Sequence, residues 1–99
     1  GPATTKATVR KQGRGWVVDC HFPSGEKYSC TVNGKSLGYE MTPEFTGLME
    51  TMTRTVFGCL AFMEPQDVAE RLRDAALESR DVVDWIGNFR ASVSPAPRR

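Results

Sequence analysis

Ninety-nine residues, 39% of them hydrophobic and 25% charged, suffice for one domain with one modest core. That balance excludes a disordered chain, and no apolar run approaches the roughly 20 residues that a membrane helix needs. The net charge of +1 hides a split: residues 1–36 carry six Lys or Arg against two acids (+4), and residues 37–99 carry seven against ten (−3). The strand half is therefore basic and the helical half acidic, short of the domain-wide basicity that marks a nucleic-acid binder.

Gly1-Pro2 reads as the scar of a cleaved expression tag, which puts the native start near Ala3. Lys6 to Lys11 is expected as a first strand, with Ala7 and Val9 on one face, and Gln12-Gly13-Arg14-Gly15 as a turn. Trp16, Val18, Cys20 and Phe22 then alternate with Val17, Asp19 and His21, a strand with one apolar face. Pro23-Ser24-Gly25 closes a hairpin onto Glu26 to Val32. A three-residue loop with Gly25 in the left-handed region pairs Cys20 with Tyr28, Val18 with Cys30 and Trp16 with Val32, so apolar meets apolar. Asn33-Gly34 signals another tight hairpin, leading into Lys35 to Met41.

Thr42-Pro43-Glu44 has the chemistry of a helix start, and the stripe Phe45, Leu48, Met49, Met52, Val56, Cys59, Leu60, Met63 predicts a helix to about Met63. Phe57 and Phe62 lie outside that stripe, and Gly47, Thr51 and Gly58 form a small-residue face; both predict a homo-oligomer. Pro65 opens a second helix with a weaker apolar face of Val68, Leu72, Ala75 and Ala76. Asp81 is placed as the cap of a last helix carrying Val82, Trp85, Ile86, Phe89 and Val93. Residues 94–99, punctuated by proline, are expected to be a disordered tail. The fold class is α+β: a single domain over residues 3–93, an antiparallel β-meander of three to four strands followed by two to three helices.

Catalytic chemistry is not visible. The three cysteines (Cys20, Cys30, Cys59) are odd in number, lack a C-x-x-C and accompany one histidine, His21, which argues against a disulfide framework and a zinc site. Buried free thiols and a cytoplasmic location are expected, the host cytoplasm if the protein is viral. His21 and Asp19 share a polar strand face, which reads as a solvated pair. No phosphate-loop or dinucleotide fingerprint occurs, so the expectation is no enzyme, no cofactor and no metal. The better signal is basic: Arg10, Lys11 and Arg14 at the first hairpin, with Lys27 and Lys35 nearby, suit either ordinary edge charges or an anion site. The glycine-flanked Gly34-Lys35-Ser36-Leu37-Gly38 can present backbone N–H groups.

From about Val17 to Ala75 the order of features resembles the TSCPD domain, a small module of adenosylcobalamin-dependent ribonucleotide reductases that also stands alone in bacteria and phages. The matching pieces are Trp16-Val17-Val18, Glu26 to Val32, the "GK-x-G"-like Gly34 to Gly38, the helix Phe45 to Met63, and Pro65 to Leu72. Stand-alone relatives, the resemblance implies, include phage anti-defence proteins that sequester cyclic nucleotide signals without cleaving them. The expected function is thus a small binding module for a nucleotide or similar ligand. Arg10, Arg14, Lys35, Ser36 and Gly38 would hold phosphate, with Trp16 or Tyr39 stacking on a base. The alternatives are a protein–protein adaptor or oligomerisation domain, and a β-sheet RNA binder; a membrane partner is not expected.

Overall fold

The structure is a computed structural model that describes residues 1–33, 37–39 and 46–93. Four antiparallel strands, β1 (Lys6–Gln12), β2 (Gly15–His21), β3 (Lys27–Val32) and β4 (Leu37–Tyr39), lie in the order β1-β2-β3-β4. Three helices follow: α1 (Thr46–Leu60), α2 (Pro65–Leu77) and α3 (Val82–Val93). The α+β meander with C-terminal helices is the architecture expected from the sequence.

The turns show why the register is what it is. Gly13 has φ 59°, and Arg14 after it stays in ordinary backbone space; positive φ at the first central residue alone is the type II′ pattern. It fixes Gln12 opposite Gly15 and runs the pairing down to Lys6 opposite His21. At the second hairpin Gly25 has φ 95°, and the Phe22 N–H donates to the Glu26 carbonyl at 2.9 Å. The predicted three-residue loop is present, and so is its register: Cys20↔Tyr28, Val18↔Cys30 and Trp16↔Val32. The third hairpin departs from expectation. A two-residue Asn33-Gly34 turn would set Val32 opposite Lys35, whereas Val32 pairs with Leu37 and Cys30 with Tyr39. The slip is two residues, an even number that preserves the parity of the pairing. The Thr42-Pro43-Glu44 helix start lies outside the described residues.

All three helices pack on one side of the sheet. Val18, Cys20, Phe22, Tyr28, Cys30 and Val32 are buried there against Met49, Met52 and Val56 of α1 and Trp85 and Phe89 of α3. Helix α2, which the sequence ranks as the weaker helix, lies against β1, β2 and β3 and buries Val68, Ala69, Leu72, Ala75 and Ala76. Alanines give little area but let a helix approach a sheet closely, which is what the central position needs. Trp85 is the hub: its ring lies 5.7 Å from Phe22 and 6.2 Å from Tyr28, and its Nε1–H donates to the Leu72 carbonyl at 2.9 Å. The N-terminal segment is tied in by Thr5, whose hydroxyl donates to the Ser79 carbonyl.

Helix α1 ends at Leu60, three residues before the position that apolar periodicity suggests. The cause is Pro65, which forces Glu64 into extended backbone (φ −71°, ψ 147°); the Phe62 and Met63 N–H groups instead close short turns onto the Cys59 carbonyl. Phe62 is left 73% exposed on the connection. At α3 the expected cap is found, the Asp84 N–H donating to Asp81 Oδ1 at 2.9 Å. Asp81→Ala should lower stability by about 1 kcal/mol, read as a shifted urea midpoint with unchanged slope.

Candidate functional site

Among the described residues every helix lies on one side, and none covers the other face of β1–β3. Strand alternation and the observed register place its side chains in rows across the strands. Lys6, His21 and Lys27 form one row, Thr8, Asp19 and Ser29 the next, and Arg10, Val17 and Thr31 a third. The first two rows line a shallow depression of about 350 Å³, within the size range of small-ligand sites. Val17 is buried although it sits on this face.

The first row sets two ammonium groups on either side of an imidazole, with neighbouring strands about 4.8 Å apart. Each lysine is directly opposite the imidazole, and the two stand about 10 Å from each other across β2. The effect on His21 is direct: partial desolvation first, then Lys27, the chain's amino terminus and Lys6 push its pKa below 6.5. The imidazole is neutral at pH 7 and sits in a cationic neighbourhood. The solvated Asp19–His21 pair expected from sequence is not what organises this face, since the Asp19 carboxylate is engaged by Arg10 Nε at 3.6 Å.

The sequence-derived candidates are dispersed. Arg10 stands on the open face, where it also donates to Gln12 Oε1 at 2.6 Å. Arg14 is exposed at the apex of the first turn. Trp16 is on the opposite, helix-facing side, half-buried against the core, with the Lys11 ammonium 5.1 Å from its ring centroid. Arg10 and Trp16 therefore cannot hold the phosphate and base of one ligand in a single pocket. Gly38 pairs with Thr31 and Tyr39 with Cys30 on the far edge strand, about 14 Å across the sheet from the β1 row by strand spacing. Lys35 and Ser36 lie outside the described residues. What sequence reading missed is the Lys6–His21–Lys27 row, although extending the hairpin register from Phe22–Glu26 by one step would have set His21 opposite Lys27.

The cysteines are free and buried. Burial, with lesser contributions from neighbouring Cys30 and Asp19, raises the Cys20 pKa, and burial followed by Asp19 pushes Cys30 up to about 12. Both thiols are thus poor nucleophiles. Among the described residues no group of three or more His, Cys, Asp or Glu gathers as for a metal ion, and no helix is long and apolar enough to cross a membrane.

No family model, no curated protein and no solved structure matches this chain.

Proposed function

We propose that the protein is a small, non-catalytic binding module that takes a phosphorylated ligand, of the nucleotide class, on the open face of its sheet. The observation that carries this reading is the Lys6–His21–Lys27 row. The two ammonium groups flank a neutral imidazole, and an anion seated over it lies within reach of both and gains charge-assisted hydrogen bonds. Thr8 and Ser29 add hydroxyls in the adjacent row, suited to phosphate or ribose oxygens, and Arg10 stands one row further along. The resemblance to TSCPD-type modules favours nucleotides, and sequestering a nucleotide-derived signal, as in the phage relatives that it brings to mind, is the biological role we infer. Free buried thiols fit a reducing compartment, and we place the protein in the cytoplasm.

An RNA-binding sheet is less well supported, because such sheets stack bases on aromatic rings. On the open face of β1–β3 the only ring is the His21 imidazole. Catalysis is not favoured either: His21 has cations beside it, and Asp19, the carboxylate that would orient a base, is held by Arg10.

Calorimetric titration with a cyclic mononucleotide, and with the matching nucleoside, tests the reading. The expected result is saturable binding of the phosphorylated compound, weakened by salt, and none of the nucleoside. Equal binding of both, or of neither by protein freed of co-purified ligand, removes the proposal.

A further inference from the structure

We propose that the groove between α2 and α3 is the docking site for the β1–β2 hairpin of a second copy of this chain. The groove encloses about 760 Å³. Its apolar lining is Phe62, Met63 and Ala75, and Phe62 stands 73% exposed at its border. A lone exposed ring is ordinary in itself, but at the border of a groove it offers apolar area for a partner to cover. Along one side runs a stripe of carboxylates, Asp67, Glu70, Asp74 and Glu78, spaced to share one face of α2.

Two arginines sit in or beside that stripe, one bound to a carbonyl of α3 and one to a carboxylate of the stripe itself. Arg71 donates to the Ser92 carbonyl at 2.7 Å, and Arg73 pairs with Asp74 at 3.0 Å. No cation pairs with Asp67, Glu70 or Glu78 among the described residues. The surface therefore calls for a narrow, basic occupant with an apolar component.

The chain itself supplies one. The β1–β2 hairpin ends in a two-residue turn with exposed Arg14 at its apex, and Lys11 lies over half-buried Trp16. That end offers guanidinium and ammonium groups for the carboxylates and an aromatic edge for Phe62. The pairing follows the charge split of the sequence, +4 over residues 1–36 against −3 over residues 37–99. Each copy offers one hairpin and one groove, so two copies can exchange hairpins in a closed dimer or link head to tail in a ring or an open chain. It is independent of the proposed ligand site, because Lys6 lies about 20 Å along β1 from the turn.

Charge reversal tests the docking by sedimentation. Wild-type protein at high micromolar concentration in low salt should sediment above the 11.0 kDa monomer, and should dissociate near 1 M salt, where the screening length falls to about 3 Å. A hairpin variant (Lys11→Glu, Arg14→Glu) and a groove variant (Glu70→Lys, Glu78→Lys) should each be monomeric with circular dichroism melts close to wild type. Mixed one to one they should co-assemble, since the groove variant's hairpin still fits the hairpin variant's groove and the two reversed surfaces complement each other as well. One chain carrying all four substitutions should associate again. A wild type that stays monomeric overturns the proposal. So does an assembly indifferent to both reversals, which would move the contact to the open Gly47/Thr51/Gly58 face of α1.

Discussion

Replacing Trp85 with Ala should lower the free energy of unfolding by about 3–5 kcal/mol, the range for deleting a fully buried large aromatic. Trp85 has no solvent exposure, touches the rings of Phe22, just past β2, and of Tyr28 in β3, and donates to a carbonyl of α2, so it joins the sheet, α2 and α3 at one point. A domain of this size has a total of about 5–15 kcal/mol, and the urea midpoint should fall by about a fifth or more. Trp85→Phe should cost much less. It keeps most of the ring volume and loses the N–H donor, and the Leu72 carbonyl, inside α2, retains its helical position as an acceptor. A loss below about 1 kcal/mol for Trp85→Ala would mean that the helices are not packed on this hub.

The second large effect is on binding, and it should leave stability nearly untouched. Lys6→Ala together with Lys27→Ala should weaken a phosphorylated ligand by about a hundredfold, since each exposed charge-assisted bond is worth about 1.5 kcal/mol at the low end. Neither lysine is buried, and the register sets each beside His21. Both are exposed surface residues, so their removal should leave the urea midpoint close to wild type. Calorimetry and denaturation on the same variant separate the two readouts. Unchanged affinity would dismiss the row as the binding site, and a collapse of stability would show that the lysines serve the fold.

Most of the fold was legible because its decisive residues act locally. Gly13 and Gly25 adopt conformations that only their own turns require, and each turn then dictates a strand register. Asp81 caps α3 by reaching three residues along its own chain. What was not legible depended on shape or distance. The alanine face of α2 looked weak because periodicity counts apolar residues and ignores how closely small ones let a helix approach. The Asn33-Gly34 signal was overridden by a pairing two residues longer, Val32 with Leu37.

The candidate site was legible in charge and not in place. Arg10, Arg14 and Trp16 are neighbours in sequence, yet strand alternation puts Arg10 and Trp16 on opposite faces. Lys6, His21 and Lys27 are fifteen and six residues apart and become neighbours only through two hairpin registers.

The most direct measurement is the titration of His21, the only histidine, by proton NMR with and without a saturating cyclic mononucleotide. A phosphodiester keeps its charge throughout, so only the protein titrates. In the free protein the His21 pKa lies below 6.5, lowered by partial desolvation and then by Lys27, the amino terminus and Lys6. The unfolded chain therefore binds more protons than the fold between those values, and stability contributed by neutral His21 is present above 6.5 and lost as pH falls through the folded pKa. A phosphate seated between the lysines favours the imidazolium, so it should raise the His21 pKa above its free value, and affinity should increase as pH falls through that titration. A His21 pKa unmoved by a nucleotide that demonstrably binds would place the ligand elsewhere and contradict the site proposed on this sheet face.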